Sequence, residues 1–371
     1  MKNSELHLLE RRKMFNGYQE CYRHFSQTCR TDMRFDVYLP PQVLKGYPAP
    51  VLYFLSGLNS DGSELVQQSG IQRFAAQWNI IVVFPDTSPR GQHVADSEGH
   101  YLGQGAGFYV NATEAPWAQH YQMESYISQE LPDLIEHNFP VTKERSIAGF
   151  SMGGHGALHL ALNYPGRYAA VSAFAPLCHP INTEGGRQAF SAYLGQNVET
   201  WKHYDSTELL QTASHKLPVL IDVGSEDALY PEVLQPEGFV HSAREKGFNI
   251  QYKVRPGYGH DYFFIASFID SHIEFHAQAL GLYAVLNKRP SEIRLMVGFQ
   301  TAFTWSFLTF NFKQTYSSGR SPSVSSNLPS VISTLIPTAA RILASISLAI
   351  SGFSFSQTRT LSLPWPIFAP L

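Results

Sequence analysis

Ser151 lies at the centre of a Gly-x-Ser-x-Gly pattern that runs from Gly149 to Gly153. Strand-like residues 146–148 precede this pattern, and the helical pattern 153–162 follows it. A strand that turns sharply into a helix leaves no room beside the turn, so glycines flank it and the serine at its apex is strained and exposed. The start of the helix adds partial positive charge where an oxyanion would form. The pattern predicts a nucleophilic serine, with a structural serine in a tight turn as the alternative.

The partners that a serine nucleophile needs follow it in the chain. A serine hydroxyl becomes reactive beside a base that accepts its proton, and that base needs a carboxylate to orient it. Glu226 and Asp227 lie at the carboxyl end of the predicted strand 219–223, and the loop length favours Asp227. His260 lies in a glycine-rich loop before the last helical pattern. The order serine, acid, histidine predicts a triad with Ser151.

Three other histidines are weaker candidates for the base. His241, His272 and His276 lie in helical patterns, where a solvent-exposed histidine is the ordinary interpretation. His272 and His276 are four residues apart, as are His155 and His159, and this spacing can hold a metal ion. No third ligand accompanies either pair, so we predict no metal, and we expect His155 to pack behind the turn.

An oxyanion site needs a second backbone donor, which in this arrangement comes from the loop after an early strand. Residues 55–60 form that loop here, and Gly57 allows the backbone to turn tightly. We therefore expect the N–H groups of Leu58 and Met152 to form the pair. An ordinary turn at the end of the strand is the alternative interpretation of this segment.

The elements that must position these residues alternate along the chain. Short apolar runs bounded mostly by Pro, Gly or Asp predict strands buried on both faces of a parallel sheet. These runs lie at 51–55, 80–84, 147–150, 169–174, 219–223 and 250–254. Helical patterns lie at 64–77, 121–137, 153–162, 237–246 and 262–280. An alternating run at 33–39 adds an antiparallel strand, and the whole predicts one doubly wound α/β domain over residues 1–285.

The composition excludes several classes of function. Hydrophobic residues make up 44% and aromatic residues 13% of the 371, which is enough for a sizeable core and excludes global disorder. A net charge of −3 argues against nucleic acid as a partner. The three cysteines form no CxxC pair and suit neither a disulfide framework nor a zinc site. The N-terminus has no apolar run behind a basic start, so we expect a cytoplasmic protein.

The C-terminal part of the chain differs in composition from the rest. Residues 293–371 contain no Asp or Glu and only five basic residues. The longest apolar stretch there, 342–355, is interrupted by serines and is too short to predict a membrane span. We interpret residues 286–371 as an aberrant or disordered extension, with a weakly membrane-associating segment as the competing hypothesis.

Several stretches together resemble S-formylglutathione hydrolases, the esterase D branch of the α/β-hydrolases. They occur in the order of that family from about residue 15 to residue 282, and together they are far more specific than the serine motif alone. The similar stretches are 55–58, 85–91, 103–109, 151–157, 172–176 and 262–269.

The resemblance implies an α/β-hydrolase fold, with a mostly parallel central sheet and helices on both faces. It places the triad of the family on Ser151, Asp227 and His260, and its oxyanion amides on Leu58 and Met152. The implied reaction is hydrolysis of the small-molecule thioester S-formylglutathione to glutathione and formate, as in formaldehyde detoxification, without a cofactor. A cytoplasmic enzyme, often a homodimer, is also implied, and a broad carboxylesterase is the alternative.

The sequence departs from the pattern of that family at several positions. Phe150 stands where the family usually has His before the nucleophile, and Ser60 stands where it commonly has Cys. Gly185 and Gln188 replace the family's Trp and Lys. Because a tryptophan forms a large rigid wall, its loss predicts a looser preference for the acyl group or the thiol.

Overall fold

The computed structural model describes residues 5–282, and within this range nine strands form one sheet. The strands are β1 (His7–Met14), β2 (Gly17–Ser26), β3 (Thr31–Leu39), β4 (Ala49–Leu55), β5 (Ile81–Pro85), β6 (Val141–Phe150), β7 (Val171–Phe174), β8 (Val219–Gly224) and β9 (Ile250–Arg255). Their order across the sheet is β1-β2-β3-β5-β4-β6-β7-β8-β9. The first three strands and the β3–β5 pair are antiparallel, and the remaining neighbours are parallel. This sheet confirms the predicted fold class.

The strand predictions differ in how well they match the structure. The six apolar runs and the alternating run at 33–39 each lie on a strand, with ends that differ by a few residues. β1 and β2 were not predicted. β1 is exposed from residue 7 to residue 13 and rich in charged residues, so it carries neither a buried run nor a clear alternation.

Helices cover both faces of the sheet. They are α1 (Ser63–Gln68), α2 (Ile71–Trp78), α3 (Met123–Ser125), α4 (Leu131–Asn138), α5 (Met152–Asn163), α6 (Glu184–Leu194), α7 (Val198–Trp201), α8 (Ser206–Leu209), α9 (Pro236–Glu245) and α10 (Tyr262–Ala279), with a π-helical turn at Tyr126–Glu130. The predicted helix 64–77 is two helices, because Gly70 takes a left-handed conformation with φ 68° between them. Helices α6 to α8 were not predicted.

The core consists of two apolar layers separated by the sheet. β4 is fully buried, and its side chains alternate between the layers: Tyr53 packs in one, and Leu52 and Phe54 pack in the other. Phe54 stacks between Phe84 and Phe174 at ring-centroid distances of 6.3 and 6.4 Å. Burial on both faces explains why the parallel strands are continuous apolar runs rather than alternating ones.

The interpretation of His272 and His276 as solvent-exposed is wrong. Both are buried on α10, which packs against the sheet, whereas His241 is exposed on α9. The Ser172 hydroxyl on β7 lies 2.9 Å from His272 Nδ1 and 2.8 Å from His276 Nε2. One hydroxyl can donate to one ring and accept from the other, and this allows α10 to bury both imidazoles.

Among residues 5–282, no helix combines the length and the apolar character that crossing a membrane requires. The predicted extension 286–371 lies outside the described residues, and so does the end of the predicted domain at residue 285. These two predictions therefore stay predictions.

Candidate active site

The turn between β6 and α5 holds Ser151 in a strained conformation. Its φ is 56° and its ψ is −119°, a region that residues with side chains rarely occupy. A Cβ atom on Gly149 would lie 2.0 Å from the carbonyl oxygen of Gly153, and one on Gly153 would lie 2.1 Å from the carbonyl oxygen of Leu55. Both glycines are therefore required by space, and the serine hydroxyl is held at the carboxyl edge of the sheet.

The structure brings Ser151, His260 and Asp227 together from three separate loops. His260 Nε2 lies 2.9 Å from Ser151 Oγ, and His260 Nδ1 lies 2.6 Å from Asp227 Oδ2. The Asp227 side chain is fully buried, whereas one-fifth of the His260 side chain is exposed. This geometry lets Nε2 accept the serine proton while Nδ1–H donates to the carboxylate.

The neighbouring acid Glu226 is directed away from the imidazole. It is exposed, and within residues 5–282 its carboxylate accepts a hydrogen bond from the Ser225 hydroxyl alone, at 3.5 Å. Asp227 instead accepts a second hydrogen bond, of 2.8 Å, from the Leu229 N–H. That bond fixes the carboxylate, so of the two candidates the structure places Asp227 at the histidine.

Backbone contacts hold the loop of the acid and the loop of the histidine side by side. The N–H of Ser225 donates to the Arg255 carbonyl at 3.0 Å, and the N–H of Glu226 donates to the Tyr258 carbonyl at 2.9 Å. At the base of the loops, the guanidinium of Arg255 lies 2.6 Å from Asp222 Oδ2. These contacts between the two loops hold Asp227 and His260 at their short distance.

Phe150 packs directly on the imidazole of His260, a contact that the sequence does not reveal. Its ring centroid lies 4.7 Å from that of His260. The ring of Tyr262, the first residue of α10, lies 5.7 Å from the Phe150 ring. The Phe150 side chain is buried. The residue before the nucleophile thus forms an apolar support for the histidine, where the resemblance leads one to expect a second histidine.

The two expected oxyanion donors lie at the turn. Met152 is the first residue of α5, and the loop with Leu58 lies against Ser151, since a Cβ atom on Gly57 would be 3.3 Å from the Cβ atom of Ser151. Within residues 5–282, the N–H groups of Leu58 and Met152 donate to no other group. Both amides are therefore free to donate to a substrate oxygen.

The loop after β4 is braced from outside by the segment after β5. The Ser60 carbonyl accepts hydrogen bonds from Thr87 Oγ1 at 2.5 Å and from Arg90 Nη2 at 3.0 Å. Asp86 holds Arg90 in turn, with 2.8 Å between Arg90 Nε and Asp86 Oδ2. Sequence reasoning missed these contacts. Residues 86–90 are not helical, and a four-residue spacing such as that of Asp86 and Arg90 predicts an ion pair only on a helix.

The pair His155 and His159 lies behind the turn, in the apolar layer. His155 Nε2 lies 3.1 Å from the Phe108 carbonyl, and burial lowers the pKa of His155 to about 4. The two rings lie 4.9 Å apart. In the part of the chain that the structure describes, no group of three His, Cys, Asp or Glu side chains is arranged to hold a metal ion.

The position where the resemblance leads one to expect tryptophan is not an empty space. A Cβ atom on Gly185 would lie 2.7 to 2.9 Å from three atoms of the Tyr101 ring. The ring of Tyr101 therefore covers the backbone of α6 at this glycine. The Tyr101 ring, from a loop distant in sequence, thus occupies the space that the first side-chain atoms of a tryptophan at position 185 would need.

Comparison with known proteins places this geometry in a family. A model of the esterase family, described as "Putative esterase", matches residues 26–275. The structure is similar to that of an S-formylglutathione hydrolase from Agrobacterium tumefaciens, with a TM-score of 0.71 and 38% sequence identity. That match covers 74% of this chain and 99% of the other.

More distant structures share the fold. A fluorophosphonate-binding serine hydrolase of Staphylococcus aureus has a TM-score of 0.58 at 24% identity, with 70% of this chain and 98% of the other covered. A ferulic acid esterase from Anaeromyces mucronatus has a TM-score of 0.53 at 18% identity, with 73% and 93% covered. At these identities the similarity extends to the architecture alone.

Proposed function

The chain belongs to the esterase family and is a serine esterase, and from this premise we propose that it hydrolyses the thioester S-formylglutathione to glutathione and formate. The observation that carries the proposal is the connected hydrogen-bond geometry of Ser151, His260 and Asp227 at a strained turn. The 38% identity with an S-formylglutathione hydrolase supports the choice of substrate.

In the first half of the proposed reaction, Ser151 Oγ attacks the formyl carbon while His260 Nε2 accepts the hydroxyl proton. The N–H groups of Leu58 and Met152 donate to the oxyanion that forms. The bond between carbon and sulfur then breaks and glutathione leaves as the thiolate. The imidazolium passes its proton to that thiolate or to solvent, which returns His260 to the neutral form. A thiolate is a good leaving group, so this step needs little acid assistance.

In the second half, water is the nucleophile. His260 Nε2 accepts a proton from the water as its oxygen attacks the formyl group on Ser151, and the same ring returns that proton to the serine oxygen as formate leaves. Asp227 accepts the Nδ1–H bond throughout, which fixes the tautomer and stabilises the imidazolium. The formic acid that leaves loses its proton at neutral pH, so one water is consumed, and one formate, one glutathione and one proton are released.

The decisive measurement compares kcat/KM for S-formylglutathione with kcat/KM for a small aryl acetate. The proposal predicts a preference of at least about 100-fold for the thioester. An equal or greater kcat/KM for the aryl ester would instead identify a broad carboxylesterase, the reading that the absence of Trp at position 185 and of Lys at position 188 favours. Inactivity on both substrates would contradict the proposal.

The remaining parts of the proposal concern the context of the enzyme. We place the catalytic domain in residues 1–285, treat residues 286–371 as an extension outside it, and propose that the enzyme acts in the cytoplasm, as a homodimer. Removal of residues 286–371 is the test of the domain boundary. Unchanged activity and unfolding free energy would support it, and a loss of either would contradict it.

A further inference from the structure

A tight turn at residues 57–60 determines how the N–H group of Leu58 is presented. The N–H of Ser60 donates to the Gly57 carbonyl at 3.3 Å, which closes a four-residue turn. Asn59, the third residue of this turn, has φ 67°, and a left-handed residue at that position is typical of a type II turn. The hydrogen bond that closes such a turn joins its first and last residues. The N–H of the second residue, Leu58, is therefore left free, and its direction depends on how the turn is held.

Backbone contacts hold one side of this turn. The N–H of Asn59 donates to the Gly105 carbonyl at 2.9 Å. The Ser60 carbonyl accepts from Thr87 and Arg90, as described above. None of these bonds involves the side chain of Ser60, so they remain when that side chain is changed.

The hydroxyl of Ser60 holds the turn from the side of α1. It donates to Glu64 Oε2 at 2.5 Å, and it accepts from the N–H of Gly62 at 3.1 Å. Ser60 is buried and Glu64 is half-buried, so water competes little for these bonds. Because Glu64 is the second residue of α1, the hydroxyl connects the turn with a helix.

The same hydroxyl also faces the elements that support the histidine. It interacts with the phenol of Tyr262 and opposes the rise that burial causes in the pKa of Tyr262. Tyr262 packs on Phe150, and Phe150 packs on the ring of His260. Ser60 therefore lies between the turn that carries Leu58 and the aromatic support of the imidazole.

We propose that the Ser60 hydroxyl, held by Glu64, is a positioning group for the N–H of Leu58, an inference that rests on Leu58 as an oxyanion donor in the proposed function. A donor aimed at the oxyanion is most effective when it is fixed before the charge develops. A turn released at Ser60 keeps its backbone bonds but lets the Leu58 N–H move. Neither side chain makes or breaks a bond in the reaction, since both act through the backbone of the turn.

The test is the variant Ser60→Ala, which removes the hydroxyl and keeps the backbone bonds of residue 60. Loss of a whole oxyanion donor costs about 10²- to 10³-fold in kcat, and a loosened donor should cost less. We expect kcat for a small aryl acetate to fall about tenfold or more, with KM within about twofold. The second readout is the Ki of an aryl trifluoromethyl ketone, whose adduct with Ser151 carries an oxyanion. This Ki should rise by a factor similar to the fall in kcat.

Two variants of Glu64 test the same bond from its other partner. Glu64→Ala removes the acceptor and should reproduce both effects of Ser60→Ala. Glu64→Gln retains an oxygen that accepts from the hydroxyl, so it should keep kcat and Ki within about threefold. Equal losses in Glu64→Ala and Glu64→Gln would contradict the positioning role.

Ser69→Ala is the matched control. Ser69 is buried just after the end of α1, and its hydroxyl also makes two bonds: it donates to the Leu65 carbonyl at 2.5 Å and accepts from the Ile71 N–H at 3.4 Å. Ser69→Ala should lower the thermal unfolding midpoint about as much as Ser60→Ala and leave kcat and Ki unchanged. An equal loss of kcat in both variants would reduce the role of Ser60 to stability, and an unchanged kcat or Ki in Ser60→Ala would overturn the inference.

These readouts do not depend on the thioester. If the wild type prefers the aryl acetate to S-formylglutathione while Ser60→Ala lowers kcat and raises Ki, the proposed substrate is wrong and the role of Ser60 stands. If the wild type prefers the thioester while Ser60→Ala keeps both values, the proposed function stands and the role of Ser60 is wrong.

Discussion

Two groups of serine, histidine and aspartate lie on the same sheet, and only one of them has the geometry of a catalytic site. The first is the triad of Ser151, His260 and Asp227. The second is the buried group of Ser172 on β7, His272 on α10 and Asp222 on β8. Similar residue types from adjacent elements therefore occur in two very different arrangements.

The buried group differs from the triad in distance and in orientation. His272 Nε2 lies 3.8 Å from Asp222 Oδ2, too far for the hydrogen bond that His260 makes at 2.6 Å. The two ring nitrogens also have opposite partners. Nδ1 of His272 faces the serine, whereas Nδ1 of His260 faces the aspartate. His272 stacks on Phe174 at 3.7 Å, and burial lowers its pKa.

The comparison shows which features distinguish the proposed catalytic group from the buried one. Ser172 lies in a regular strand and is fully buried, whereas Ser151 is strained, partly exposed and next to two free amides. The buried group connects β7, β8 and α10 within the core, and we expect its contribution to be to stability. The following predictions test this division, from the largest expected effect to the smallest.

Substitution Ser151→Ala removes the nucleophile. We expect kcat to fall by about 10⁵-fold or more, as is usual when the serine of such a triad is lost. The urea unfolding curve should shift little, because the side chain is at the surface of the turn. Thioester hydrolysis followed by formate release is the measurement, and substantial remaining turnover would show that the group is not the catalytic one.

Substitution Asp227→Asn should lower kcat by about 10⁴-fold, because the amide favours the wrong tautomer of His260. Asp222→Asn is the matched change in the buried group. We expect it to keep kcat within about tenfold and to lower the free energy of unfolding, since it weakens the pair with Arg255. Equal losses of kcat in both variants would contradict the division.

The buried histidines should make the fold sensitive to acid. Burial lowers the pKa of His155 to about 4 and that of His276 to about 3, from an ordinary value of 6.5. Below pH 6.5 the unfolded chain binds protons that the folded chain does not. The stabilisation from these two groups is thus complete above pH 6.5, and about 4 kcal/mol of it is lost by pH 5.

Urea unfolding at pH 7 and at pH 5 measures this loss. The variant His276→Gln cannot titrate at that position, and we expect its unfolding free energy to change less between the two pH values. An identical pH dependence in the variant and the wild type would show that His276 is not a source of the acid sensitivity.

Substitution Ser172→Ala should lower the free energy of unfolding by about 3 kcal/mol, because it leaves buried nitrogens of His272 and His276 without a partner. Ser146→Ala is the control. Ser146 is also buried, on the neighbouring strand β6, and its hydroxyl has no partner within the described residues. We expect this control to change the unfolding free energy by less than about 1 kcal/mol, and equal effects would argue against the role of Ser172.

The smallest effect concerns the support of the histidine. Phe150→Leu removes the ring that packs on His260, and we expect kcat to fall about three- to tenfold with little change in KM. Phe150→His retains a ring and should retain most of the kcat. Steady-state kinetics on both variants makes the comparison, and an unchanged kcat in Phe150→Leu would show that the contact does not position the imidazole.

The parts of the fold that the sequence predicts are those with a strong local signal. The parallel strands are recognisable because burial on both faces makes them continuous apolar runs. The turn at Ser151 is recognisable because Gly149 and Gly153 have no room for a side chain. The three residues that meet at the turn follow from their places after strands, since the carboxyl ends of parallel strands share one edge.

The parts that sequence reasoning misses depend on contacts between distant segments. Ser172 is about 100 residues from the two histidines that it allows α10 to bury. Tyr101 covers Gly185 from a loop that precedes it by more than 80 residues. Neither contact can be recognised within a short stretch of sequence. Local patterns therefore predicted that His272 and His276 are exposed, and that an aromatic wall is missing at Gly185.

The exposed strand β1 has a consequence for how copies of the protein behave towards each other. It lies at one end of the sheet, where unpaired backbone groups could extend the sheet into a neighbouring molecule. Its register shifts between Leu8 and Glu10, and residues 10–13 are all charged. An irregular, charged border of this kind disfavours edge-to-edge association, so the strand that contributes least to the core protects the protein from aggregation.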